Sequence, residues 1–215
     1  FLFGSTDPIA HQEITIFTPA ECTLAWQVLN DPKNAVTHQA TTDANGGTWH
    51  RWQRTAAPQL LGEPMMPPWP DVLPRLVVSA DTRSWHQIAA DFEATLTLLA
   101  TTRTRKLPPP PATDLQELWR TISRNIKETP VSLLASGRIP GDPAETWQLR
   151  SAAQLDRTYL YYRWLKELGH DVHWTWLRPR TSGSLPDNVR SLAFFPVAGV
   201  QLSSHDGTKT LVLGD

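Results

Sequence analysis

Four consecutive prolines, Pro108 to Pro111, set the strongest limit on how this chain can fold. Each lacks a backbone N–H and holds φ at about −65°, so the run Lys106-Leu107-Pro108-Pro109-Pro110-Pro111 fits neither a helix interior nor a central strand. It reads as a stiff, extended spacer. The same reasoning predicts that Glu63-Pro64-Met65-Met66-Pro67-Pro68-Trp69-Pro70 is neither helix nor central strand. Proline supplies 19 of 215 residues, nearly double the usual share of about 5%, so long extended connections are expected.

On either side of the spacer the hydrophobic period differs. Glu13-Ile14-Thr15-Ile16-Phe17 and Thr23 to Leu29 alternate at period two and predict strands. Asn45-Gly46-Gly47 predicts a hairpin, and Thr48 to Arg54 the strand leaving it. Leu76-Val77-Val78-Ser79 reads as one more short strand. From Ser84 the period changes: Trp85, Ile88, Ala89, Phe92, Leu96 and Leu99 form one helical stripe. Beyond the spacer, Thr113 is the expected cap of a helix with Leu115, Leu118, Trp119, Ile122 and Ile126 on one face.

A Gly- and Pro-rich loop from Gly137 to Pro143 leads into a long helix expected from Ala144 or Ser151 to Leu168, with Gly169 as its left-handed terminator. Strands at Val172 to Leu177, Ser191 to Leu202 and Thr208 to Leu213 should follow, the last two joined by the turn Ser204-His205-Asp206-Gly207. The fold class is therefore α+β, with helix laid on antiparallel sheet. The expected division is 1–82, a partial antiparallel β-sandwich; 83–111, a helix and proline-rich linker; and 112–215, a helix-on-sheet domain.

Composition narrows the function classes. The chain is 40% hydrophobic and 19% charged, which is globular. No apolar run approaches the ~20 residues of a membrane span. Net charge is −1. Up to Lys106 there are 8 basic and 10 acidic residues, and after it 12 and 11, so neither part offers a basic surface to nucleic acid. A single cysteine, Cys22, excludes an internal disulfide and a cysteine-based metal site. The chain begins Phe1-Leu2-Phe3, and we expect it to be a fragment or a mature form.

One segment carries a family signature. Arg150-Ser151-Ala152-Ala153-Gln154-Leu155-Asp156-Arg157 runs on to Leu168-Gly169. It resembles the active-site helix of the transglutaminase-like superfamily, whose bacterial members read Arg-x-Gly-Asp-Cys-x-Asp-Lys before a helix and Leu-Gly. Arg150, Asp156, Arg157, Leu168 and Gly169 fall in register, while Ala152, Ala153 and Gln154 replace Gly-Asp-Cys. Arg124-Asn125-Ile126 and Pro143 match the preceding helix end and loop. In Phe194-Phe195-Pro196-Val197, Pro196 holds the place of the family's histidine. In Leu213-Gly214-Asp215, Asp215 stands at or one position from its aspartate. The first half resembles the β domain that precedes such domains in many secreted bacterial proteins, through Trp49, Met65-Met66-Pro67-Pro68, Leu76 to Ser79 and Ser84-Trp85.

The resemblance implies a papain-like fold with its chemistry removed. Such enzymes need a thiolate and an imidazole partner, itself oriented by a carboxylate. A neutral amide at Gln154 and a ring without a titratable proton at Pro196 supply neither, so the degenerate positions are Gln154, Pro196, Gly214 and Asp215. No cofactor and no metal are implied. The expected role is a non-catalytic binding or scaffolding module within a larger secreted or envelope protein, periplasmic or extracellular by resemblance. A peptide or partner protein would lie in a groove bordered by Trp147, Gln154, Phe194 and Phe195. The alternatives are an active cysteine-protease-like hydrolase or acyl transferase in another register, and a structural spacer.

Other chemistry-bearing residues have plainer readings. Cys22, between Glu21 and Thr23 at a strand start, reads as an inert thiol. His170-Asp171-Val172-His173 puts Asp171 and His173 on one face of a strand with no further ligand, which reads as a turn. Trp174 and Trp176, with Trp147, Tyr159, Tyr161, Tyr162 and Trp164, read first as core and second as a stacking surface for peptide or sugar.

Overall fold

The computed structural model describes residues 1–103, 105–133, 135, 137–203 and 209–213. It is α+β with antiparallel sheets. The chain forms two compact units, Phe1–Ile88 with Arg180–Ser191, and Ala89–Pro179 with Leu192–Asp215.

The first unit holds β1 (Ile9–Thr18), β2 (Ala25–Leu29), β3 (Thr37–Thr42), β4 (Thr48–Ala57), α1 (Trp69–Val72) and β5 (Arg75–Ser79). Strands pair in the orders β1-β4-β3 and β2-β5, both antiparallel. Period-two alternation sends Ile14 and Ile16 of β1 inward, where they pack with fully buried Trp52 of β4, Leu76 of β5 and Phe3. Glu13, Thr15 and Phe17 face outward. At the β3–β4 turn the Asp43 carboxylate accepts the N–H groups of Asn45 and Gly47, both at 2.9 Å, and Gly46 has φ +82°. The buried Arg75 guanidinium ties Arg180–Ser191 to this unit by donating to the carbonyls of Ser182 (2.8 Å) and Ser184.

Three expectations need correction here. Trp69–Val72 is a helical turn, although Trp69 and Pro70 lie in the passage expected to contain none; proline fits a first turn, where its missing N–H has no partner to lose. β3 was not expected because its sequence, Thr-His-Gln-Ala-Thr-Thr, has no apolar alternation; it forms on the hairpin with β4. Cys22 precedes the strand, in a turn closed by its N–H on the Pro19 carbonyl at 3.0 Å.

α2 (Trp85–Thr102) carries the chain into the second unit, followed by α3 (Leu115–Asn125), β6 (Lys127–Glu128), α4 (Pro143–Leu149), β7 (Ser151–Ala152), α5 (Gln154–Glu167), β8 (Val172–Leu177), β9 (Val197–Ser203) and β10 (Lys209–Leu213). The antiparallel order β10-β9-β8 forms a sheet on which α5 lies. Tyr161, Trp164, Leu160 and Leu165 of α5 join Leu118 and Ile122 of α3 with Val172, Val200 and Leu202 of the sheet. Leu155 and Tyr159 join Leu96 of α2 with Trp174 and Ala198. The aromatics of α5 and β8 are thus mostly core: Tyr159, Tyr161 and Trp164 are fully buried and Trp174 nearly so.

The stretch 83–111, expected as a helix and proline-rich linker, does contain helix α2 and is tied to the second core at several points. Phe92, Leu96 and Leu99 of α2 pack into the second core. The polyproline run is anchored there too, because the Pro108 carbonyl accepts the Trp164 indole N–H at 2.8 Å and Leu107 packs against the same cluster. The cap of α3 is Asp114 rather than Thr113; its carboxylate accepts the Glu117 N–H at 2.8 Å. Of the two starts expected for the long helix, Ala144 and Ser151, the second is the nearer: α5 begins at Gln154, and Ala144 belongs to a separate preceding helix, α4. Arg150, at φ +56°, ends α4, and Ser151–Ala152 leave the helical path to pair in parallel with Lys127–Glu128. Gly169 does take the left-handed conformation, φ +81°. The strand expected from Ser191 begins only at Val197, after a 3-10 turn at Leu192–Phe194. The expected turn at Ser204 to Gly207, and Gly214 and Asp215, lie outside the described residues.

Between β3 and β4, His38 Nε2 and His50 Nδ1 lie 3.2 Å apart, and the His38 ring also contacts Trp26 and Trp52. Burial, and then the adjacent His50, lower the His38 pKa below the usual value, about 6.5. A base whose folded pKa is depressed stabilises the fold fully above its unfolded pKa, and that contribution is lost as pH falls through the folded pKa. Thermal unfolding should therefore show stability falling as pH drops below about 6.5, with a smaller fall in His38→Gln than in the native chain.

Candidate functional site

The start of α5 is positioned by its neighbours in sequence. After Arg150 turns left-handed, β7 holds Ser151 and Ala152 against β6, and Ala153 becomes the N-cap. Alanine offers no side-chain oxygen, so no capping bond is made. Gln154 is the first residue of α5. Its side-chain amide donates to the Ala198 carbonyl on β9 at 2.7 Å, and its own carbonyl accepts the Thr158 hydroxyl at 2.9 Å. Ala198 is fully buried on the helix-facing side of β9. Pro196, two residues earlier, is exposed and precedes the strand. Neither has a side chain able to accept a proton.

Asp156 and Arg157 serve the fold. The Asp156 carboxylate accepts the Gly141 N–H at 2.6 Å, which pins the loop entering α4. Placed in the first turn of α5, it also complements the helix dipole. The Arg157 guanidinium is 5% exposed, pairs with the Glu128 carboxylate, donates to the Ser123 hydroxyl at 3.2 Å, and sits 5.5 Å from the Trp119 ring centre. One cation therefore joins α3, β6 and α5.

The four residues expected to border one groove are not placed alike. Trp147 is half-buried, meets Trp164 edge-on at 5.0 Å, and carries the Arg150 guanidinium 3.9 Å above its ring. Trp164 lies ten residues along α5 from Gln154, about 15 Å at 1.5 Å per residue. Trp147 thus belongs beside the far half of the helix, which the break between α4 and α5 explains. Phe194 and Phe195 precede β9, and their carbonyls accept Arg178 at 3.0 Å and Arg138 at 3.1 Å. Sequence reasoning missed these arginines, which sit in loops without periodic pattern.

Among the described residues no group of three or more His, Cys, Asp or Glu side chains could hold a metal. His173 pairs with Asp171 at 3.2 Å, and both are largely exposed. No helix among the described residues is long and apolar enough to cross a membrane.

No protein-family model matches the chain, and no curated protein does. Among solved structures it is similar to a candidate protease from Parabacteroides distasonis, with a TM-score of 0.72 at 17% identity. That likeness covers 100% of this chain and 42% of the neighbour, so the chain spans less than half the neighbour's length. At that identity the likeness is one of fold.

The pins around α5 should differ in weight. We expect Arg157→Ala to cost about 2–3 kcal/mol, below the full cost of breaking a buried pair because Glu128 is partly exposed. Asp156→Ala and Gln154→Ala should each cost about 1 kcal/mol, the net value of one hydrogen bond. Denaturant unfolding of the three variants checks the order.

Proposed function

We propose that the second unit is a transglutaminase-like module that has lost its chemistry and acts by binding or scaffolding within a larger exported protein. The observation that carries this reading is the amide of Gln154. It occupies the helix start where the resemblance expects a thiol, and it spends its donor on the Ala198 carbonyl. A nucleophile there would need an imidazole within hydrogen-bond reach. The residue that Gln154 meets on the strand opposite is Ala198, which has no titratable side chain. The sole thiol of the chain, Cys22, lies in the first unit. The likeness to a candidate protease fits a hydrolase fold retained for another use. Asp156 and Arg157 fit that history, since each now holds structure together.

The test is turnover. The chain should neither hydrolyse glutamine-containing peptides nor join them to a primary amine, and Gln154→Cys alone should stay silent for want of a base. Reproducible turnover by the native chain, abolished by Cys22→Ser or Ser151→Ala, would overturn the reading.

A further inference from the structure

The outer face of the β1-β4-β3 sheet is unlike the polar face such a sheet usually gives to water. Most of it is polar, with Glu13 and Thr15 on β1, Arg51 and Gln53 on β4, and Gln39 and Thr41 on β3 in cross-strand register. At one end two aromatic rings stand side by side in solvent. Phe17 is 42% exposed and Trp49 49% exposed, with ring centres 4.9 Å apart and planes at 46°. The rings have a built seat. Gly47 presents bare backbone to Phe17, and a Cβ there would come within 2.4 Å of the ring. Beside them is a cleft of about 280 Å³ lined by Thr15, Gln39, Thr41, Trp49 and Arg51.

The chemistry of this face selects among occupants. Its charges are matched internally: the Glu13 carboxylate lies 3.3 Å from Arg51 and 3.7 Å from His11, and accepts Gln53 at 2.6 Å. A charged ligand therefore finds no uncompensated partner. Two half-exposed rings offer about 200 Å² of apolar surface, well short of the ~800 Å² per partner of a stable protein interface. What remains is a ligand with a flat C–H face for the rings and many hydroxyls for the Gln39 amide and the Thr41 hydroxyl, which donate and accept, and for the Thr15 oxygen, whose own proton goes to Glu13 at 3.1 Å. We propose that this face binds a neutral saccharide, one sugar ring lying across Phe17 and Trp49 with its hydroxyls directed to Gln39, Thr41 and Arg51. The site belongs to the first unit and stands independently of the function proposed for the second.

The experiment is an NMR titration of the whole chain with maltohexaose, cellohexaose and chitohexaose. Binding by at least one of them should shift the Trp49 indole and the Gln39, Thr41 and Arg51 amides. Its affinity should hold from about 50 mM to about 500 mM salt, since screening acts on charge. Trp49→Ala should weaken it by roughly tenfold, and Trp49→Tyr much less. Trp49 is half-exposed, so the unfolding temperature of each variant serves as the control on folding. The proposal is overturned if none of the three sugars shifts Trp49 at about 10 mM, roughly tenfold above a dissociation constant of about 1 mM. It is equally overturned if binding survives Trp49→Ala, or if the face proves to be covered by a second copy of the chain in sugar-free solution.

Discussion

The second unit depends on the burial of α5. Leu155, Tyr159, Leu160, Tyr161, Trp164 and Leu165 are all buried within this 14-residue helix, and they point into two separate clusters. A helix apolar around most of its girth has to be enclosed. α2, α3 and the β8–β10 sheet enclose it, and the polyproline run is drawn in as well. Two of the polar groups carried inside are matched: the Tyr161 hydroxyl donates to the Leu115 carbonyl at 3.1 Å and the Trp164 indole to Pro108 at 2.8 Å. Burial pushes the Tyr161 pKa up to about 12, so the phenol stays a donor. Held in this way, α5 has one position available, and its first residue faces β9.

Where the sequence was legible, one local rule decided the outcome. Ile14 and Ile16 alternate with polar residues and form an edge of the first core; in the stripe from Trp85 to Leu99, Ile88 and Leu96 are buried and Trp85, Phe92 and Leu99 half-buried, while Ala89 is exposed. Gly169 ends α5 in the conformation glycine tolerates best. The failures come where distant partners override local pattern. Nothing near Pro108 announces that Trp164, 56 residues on, will take its carbonyl. The choice between Ala144 and Ser151 as the start of the long helix was not legible, because the left-handed turn at Arg150 goes with the parallel pairing of Ser151–Ala152 with Lys127–Glu128, a long-range bond. Gln154 at the head of a helix was legible, since Leu155 to Leu168 carry a strong apolar pattern behind it. Its bond to Ala198 was not.

The two units suggest different uses of side chains. In the second, residues that resemble remnants of a catalytic helix are committed to internal bonds, as the Arg157 guanidinium joining α3, β6 and α5 illustrates. In the first, a sheet face keeps two rings in water although a core with room for aromatics lies on its other side. In the second unit the Gln154 amide closes the start of α5 onto the Ala198 carbonyl.

That closure can be measured directly through the hydrogen exchange of the Gln154 side-chain amide, assigned by comparison with Gln154→Ala. A donor held at 2.7 Å from the Ala198 carbonyl should exchange at least about tenfold more slowly than a free glutamine amide, because exchange requires the helix start to open. Exchange at the free rate would mean that the amide is loose and the helix start open, contradicting the account.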